Sequence, residues 1–201
     1  MKNIDKRRST ISLLTSFFLI YIFVLVFLKE TNFLDLIYIK RTDTLLKIFK
    51  FITKLGNWYT LIIITLGFLI FDGKKTFKYI SINLATVTFL NQGLKLLFQR
   101  PRPELNIIAA TGYSFPSGHS MVSMAFYGFL IYMLLKTNHS NKYKTIGSIL
   151  LFMIILMIGF SRIYLGAHYV TDVLAGFALG IIYLVIFTFI IKKGGNNSEK
   201  N

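Results

Sequence analysis

Six long apolar stretches recur along this 201-residue chain, and nothing else constrains its fold as strongly. They lie at Ile11 to Leu28, Leu55 to Phe71, Tyr79 to Phe98, His119 to Leu135, Ile146 to Tyr164 and Val173 to Ile191. Each is roughly 17 to 20 residues long, the length a helix needs to cross the hydrocarbon layer of a bilayer. Hydrophobic residues make up 54% of the chain and charged residues 15%, more apolar surface than one soluble core of this size can hide. The expected fold is therefore an all-α bundle of six transmembrane helices. At roughly 20 residues each the spans use most of the chain, so residues 1–201 read as a single domain.

Two runs need comment. Lys6, Arg7 and Arg8 precede the first, as in a signal peptide, but the run is too long for a signal core and no small-residue cleavage site follows. A retained first span is expected. The second run is interrupted at its start by Gly56 and Asn57, and a re-entrant segment stays open there. Ahead of it, Leu45, Ile48, Phe49 and Ile52 recur at helical spacing with Lys47, Lys50 and Lys54 between them, which predicts a short amphipathic helix lying in the interface. The tail from Gly194 to Asn201 reads as disordered.

The chain carries 23 basic and 8 acidic residues, a net charge of +15. On a soluble protein that excess points to nucleic acid. Here the apolar runs separate the cations into loops, which instead suit anionic headgroups and an anionic substrate, with no nucleic acid partner. With no cysteine there is neither a disulfide nor a thiolate metal site. The clusters Lys2, Lys6, Arg7 and Arg8, then Lys74, Lys75 and Lys78, then Lys136, Lys142 and Lys144, then Lys192, Lys193 and Lys200 all fall on one side if the spans alternate. The positive-inside rule makes that side cytoplasmic, with both termini there. Three segments rich in polar residues then meet at the extracytoplasmic face.

The first runs from Lys95 to Pro103. Lys95 and Arg102 are seven apart, two turns if the helix persists, which would put both cations on one side of it, an arrangement that suits a phosphate. A snorkelling lysine and a solvated Pro-rich turn are the plain alternatives. In the second, Phe115-Pro116-Ser117-Gly118-His119-Ser120, Ser117 is a plausible N-cap and the helix terminus behind it attracts anions. Gly118 would let an oxygen approach the backbone, and His119 projects from the same turn; an ordinary capped helix with an interfacial histidine fits equally well. In the third, Ser161 and Arg162 are followed by His168 and Asp172, four apart, so that the carboxylate can orient the imidazole. A capping Asp and a stray His are the alternative. His139, in a polar loop, reads as solvated.

Lys95-x6-Arg102-Pro103, Pro116-Ser117-Gly118-His119 and Ser161-Arg162-x5-His168-x3-Asp172, in that order, resemble the three motifs of the type 2 phosphatidic acid phosphatase superfamily. The resemblance covers nearly the whole chain. It implies a membrane lipid phosphatase with catalytic motifs within 95–172: His168 as the nucleophile, Asp172 orienting it, and His119 protonating the leaving oxygen. Lys95, Arg102 and Arg162, with the Ser117 and Gly118 amides, would bind the phosphate oxygens. It implies no metal and no cofactor, and as substrate a lipid phosphate or pyrophosphate such as phosphatidic acid, phosphatidylglycerophosphate or undecaprenyl pyrophosphate. The segment between Pro103 and Pro116 is short, so any lid is short. Three other readings stay open: a lipid phosphotransferase using the same phosphohistidine, a vanadate-dependent oxidant, and a transporter or scaffold in which Asn83, Asn91 and Gln92 line a path. The sequence says nothing of oligomeric state.

Overall fold

A computed structural model describes residues 37–198 apart from Leu105 and Ala109; the first apolar run, Ile11 to Leu28, lies outside the described residues. The chain is helical in the order α1 (Asp43–Lys54), α2 (Trp58–Phe71), α3 (Lys74–Phe98), α4 (Gly118–Lys136), α5 (Asn141–Tyr164) and α6 (Val170–Ser198). Among the described residues three segments are long and apolar enough to cross a membrane: Gly118–Lys136, Asn141–Tyr164 and Val170–Lys193. A fourth results if α1 and α2, bent by 47° at their junction, form one span.

α3, with 25 residues, is long enough to span but more polar. Its composition has a positional cause. Ile80, Asn83, Val87, Asn91 and Lys95 are its buried residues, one stripe at intervals of three and four that faces the bundle and ends on a lysine. Exposed Phe89, Leu96 and Leu97 lie on the other side.

α4 is the central helix, packed against α3, α5 and α6. Its first half is buried from Ser120 to Phe129 apart from Val122, which faces the apolar cavity. α5 is buried near its C-terminal end, at Ile155, Ile158, Gly159 and Ser161 to Tyr164, whereas Ile149, Leu150 and Phe152 are exposed, as lipid contact demands. The predicted helix before the second run forms as α1, capped by the Thr42 hydroxyl on the Leu45 amide, with Phe49 and Thr53 buried. The interruption at Gly56 and Asn57 is a real break between α1 and α2. The backbone of α6 stays helical through Gly194 to Ser198.

Glycines bring α6 against α4. A Cβ at Gly176 would lie 2.7 Å from the Ser117 carbonyl oxygen, and one at Gly180 would lie 2.7 Å from the Met124 Cβ and 2.8 Å from the Met121 oxygen. Small residues one turn apart are how membrane helices bring their backbones together. In consequence the start of α6, which carries Asp172, lies beside the start of α4, and the Ser117 amide donates to the Asp172 carbonyl at 2.9 Å. Gly180→Ala is expected to lower stability by about 1–3 kcal/mol through overpacking, read as a lower melting temperature in detergent. Gly67→Ala, where a Cβ meets nothing within 4 Å, should leave it equal or higher.

Candidate active site

The three motif segments converge at one end of the bundle, and each candidate residue reaches that place by a local cause. The α3 stripe delivers Lys95, whose Nζ donates to the carbonyls of Tyr113 (2.5 Å) and Ser114 (3.3 Å). Arg102 does not arrive on a continued helix, as its seven-residue spacing from Lys95 suggested. α3 ends at Phe98, Gln99 turns left-handed with φ 47°, and Arg102 comes from the loop. There its guanidinium donates to the carbonyls of Thr111 (2.8 Å), Gly112 (3.0 Å) and Ala167 (2.8 Å). Ser114 ties the same loop down through its Oγ, which donates to the Pro101 carbonyl at 2.8 Å.

Arg162, 5% exposed near the end of α5, donates from Nη1 to the Thr53 hydroxyl at 2.8 Å. The acceptors just named for Lys95, Arg102 and Arg162 are neutral oxygens. Among the described residues these three cations are thus held in place without a carboxylate in ion-pair contact, the arrangement an anion fills. The fourth cation at the site is different. Arg100 Nη1 lies 2.9 Å from Asp172 Oδ1 and 2.8 Å from Thr171 Oγ1, with its guanidinium 4.1 Å over the Tyr169 ring.

His168 and Asp172 are brought together as expected, though the α6 helix begins only at Val170. Asp172 Oδ2 accepts the Tyr169 amide at 3.0 Å, which folds the first turn back and sets His168 Nδ1 3.4 Å from the same oxygen. The opposite nitrogen, Nε2, is 3.2 Å from Arg102 Nη1. A guanidinium can only donate, so Nε2 presents its lone pair toward the cations and Nδ1 bears the hydrogen. Burial first, then the charges of Arg162, Arg102 and Lys95, push the His168 imidazole well below the ordinary histidine range, so it is neutral at pH 7. Burial likewise lowers Arg102.

Ser117 caps α4, its hydroxyl accepting from Ser120, while its own amide, expected among the phosphate donors, is instead given to the Asp172 carbonyl. Gly118 has no room for a side chain: a Cβ would meet Asn91 Oδ1 at 2.9 Å and come within 3.8 Å of the Lys95 stem. Asn91 braces this turn through the Pro116 carbonyl at 3.4 Å. His119, on the same turn, donates from Nε2 to Asn57 Oδ1 at 2.7 Å.

Arg100, Thr53 and Asn57 escape a reading of the sequence. Arg100 sits inside the first motif segment, but its partner is 72 positions away, and Thr53 and Asn57 are 109 and 62 positions from theirs. The only local signal was the interruption at Gly56 and Asn57.

An apolar cavity of about 770 Å³ opens beside this constellation. Gly118 and His119 stand at its wall, and Leu61, Leu66, Leu84 and Phe89 line it along α2 and α3.

Buried cations thus surround a carboxylate-backed histidine at one end of a helical bundle, a site that suits a phosphoryl group. Residues 77–195 match the PAP2 superfamily model, and the chain belongs to that superfamily. It is 35% identical over 155 residues to phosphatidylglycerophosphatase B of Bacillus subtilis (strain 168), covering 74% of each chain. It is similar to the crystal structure of the transmembrane PAP2-type phosphatidylglycerolphosphate phosphatase from Bacillus subtilis, with a TM-score of 0.78 and 27% identity over 90% of this chain and 96% of that one. It is also similar to LpxE of Aquifex aeolicus, with a TM-score of 0.66 and 27% identity over 81% of this chain and 96% of that one.

Arg100 neutralises the Asp172 carboxylate's outer oxygen and fixes its rotamer. Arg100→Gln is expected to lower kcat about 10- to 100-fold with little change in KM, as loss of a charged hydrogen bond worth ~1.5–3 kcal/mol implies, and Arg100→Lys to recover part of it. Steady-state kinetics on one soluble phosphate ester measures both.

Proposed function

We propose that the chain is a metal-independent lipid phosphate phosphatase that works through a phosphohistidine, with a phosphomonoester lipid of the phosphatidylglycerophosphate kind as substrate. The observation that carries this is the polarity of His168, with Nδ1 toward Asp172 and the Nε2 lone pair toward Arg102. A phosphoryl group held by Lys95, Arg102, Arg162 and the Gly118 end of α4 would present phosphorus to that lone pair.

The Nε2 pair attacks phosphorus as the bond to the lipid oxygen breaks. His119 gives a proton to the departing oxygen, which leaves as an alcohol. Water then attacks the phosphohistidine, His119 accepts its proton, the P–N bond breaks, and inorganic phosphate is released. Asp172 stabilises the positive charge that develops on the His168 ring.

The substrate class follows from the cavity. Its apolar walls run from His119 along helices that face lipid, so an acyl chain fits there with its headgroup at the cations. The relatives named above as phosphatidylglycerophosphate phosphatases support that headgroup first. The six apolar runs of the sequence support a six-span bundle in which α1 lies near the interface and α2 to α6 are five of the spans. The α2–α3 turn and the α4–α5 loop adjoin at the end opposite the site, where Phe71, Asp72, Leu134 and Thr137 line one groove. Lys74, Lys75, Lys136 and Lys142 stand at the helix ends that flank those connections, which by the positive-inside rule supports a cytoplasmic end there and an extracytoplasmic active site.

Purified protein in detergent is expected to release phosphate from phosphatidylglycerophosphate faster than from a short-chain ester. His168→Ala should abolish both turnover and an acid-labile, base-stable phosphoenzyme; undiminished labelling of that variant refutes the nucleophile. Because the lowered His168 stays neutral as pH falls, the acid limb of kcat/KM is expected below 6.5. Arg102→Ala removes a nearby cation and should move that limb to higher pH.

A further inference from the structure

The break between α1 and α2 lies outside the stretch that matches the superfamily, residues 77–195, yet it is built into the site. Thr53 accepts from Arg162, and four residues later Asn57 accepts from His119. The Tyr127 hydroxyl donates to the Leu55 carbonyl at 2.8 Å and pins the break to α4. At Gly56 a Cβ would stand 2.8 Å from Ile158, 2.9 Å from His119 Cδ2 and 3.1 Å from the Ser123 hydroxyl, so the backbone itself is packed against the imidazole. The Asn57 amide is oriented in turn, its Nδ2 donating to the Tyr59 hydroxyl at 2.8 Å. Its Oδ1 therefore faces His119.

We infer that Asn57 is a positioning residue for the general acid: it holds the hydrogen on His119 Nε2 and so makes Nδ1 the nitrogen that gives the leaving oxygen its proton and takes one back from water. The chemistry is that of an amide carbonyl, which accepts a hydrogen bond and cannot take the proton at neutral pH. Nε2–H stays in place in both charge states of the ring. The edge formed by Cδ2 and Nε2 is covered by Gly56 and Asn57, which leaves the opposite edge, bearing Nδ1, for the reaction. A neutral partner suits this position. The groups whose charge reaches His119 are Arg162, His168, Arg102 and Lys95, and Tyr59 lies beyond the amide. A carboxylate in place of Asn57 would hold the imidazolium too firmly for it to release its proton.

This inference rests on His119 as proton donor, and the experiment separates the two. Alkyl and p-nitrophenyl phosphate turnover are compared for the wild type, His119→Ala, Asn57→Leu and Asn57→Asp, each checked by its detergent melting temperature. His119→Ala is expected to lose about 10²-fold or more on the alkyl ester and much less on the aryl ester, whose leaving group needs no proton. Asn57→Leu should show the same selectivity at about tenfold. Asn57→Asp should move the alkaline limb of the kcat/KM profile up by about one unit or more, as an opposite charge within hydrogen-bond reach does. Asn57→Asp keeps the size and an acceptor oxygen, and it decides the matter if Asn57→Leu is poorly folded. Equal losses on both esters in Asn57→Leu, or an unmoved alkaline limb in folded Asn57→Asp, overturn the role of Asn57 while leaving His119 as the acid. Equal losses on both esters in His119→Ala overturn the two together.

Discussion

Positive charge held by neutral oxygens is the constraint on which this structure depends. Lys95 and Arg162 are nearly buried, and Arg102 is half-buried, yet the oxygens that fix them belong to backbone carbonyls and one hydroxyl. Such contacts satisfy the donors' geometry but leave the net charge standing, in surroundings where it acts strongly. Everything else at this end of the bundle serves that condition. The loop from Arg100 to Ser114 is laced to itself by Ser114, so its carbonyls are fixed before any substrate arrives. The acidic group beside His168, Asp172, is itself shared between Arg100 and the Tyr169 amide.

Holding like charges together costs folding free energy, and the helix packing supplies the offset. The close approach of α6 to α4 at Gly176 and Gly180 puts the two helix starts side by side, so that the Ser117 amide and the Asp172 carbonyl join them. The same approach brings Phe177 against Gly159 of α5. Three helices are thereby locked where His119, Arg162 and Asp172 emerge. Precision at the site is a property of backbone contact between helices, not of the loops alone.

The motifs were legible because each is a local device: a helix cap at Ser117, a histidine and carboxylate within one turn, a lysine closing an apolar helix. Local devices survive in a one-dimensional reading. Two details of that reading gave way to geometry. The helix bearing Lys95 stops at Phe98, and His168 precedes its helix; in both cases hydrogen bonds from the loop or the first turn restore the juxtaposition that a continuous helix was expected to give. The polarity of α3 looked like a candidate path through the bilayer because a sequence does not say which face Asn83 and Asn91 occupy. They lie on the buried stripe, and Asn91 supports the turn before His119. The partners of Arg162 and His119 could not be read at all, since Thr53 and Asn57 sit on a segment with no catalytic residue type of its own, and Arg100, though within the first motif, lies 72 positions from Asp172.

The break at Gly56 and Asn57 shows how a feature that weakens one inference can strengthen another. As a transmembrane signal it is a defect, because it shortens the second run. In the fold it is the means by which a membrane helix can offer side-chain and backbone acceptors at the depth of the site. An unbroken helix would spend its carbonyls on its own hydrogen bonds and would keep a Cβ between itself and the imidazole. With the break, Leu55 gives its carbonyl to Tyr127, Gly56 lies flat on His119, and Thr53 and Asn57 face two different helices at once. The broken segment is covered on both sides, by α4 and α5 on one and by the apolar cavity on the other. The same few residues that end a helix therefore begin the wall of the chamber in which a lipid headgroup would meet the histidines.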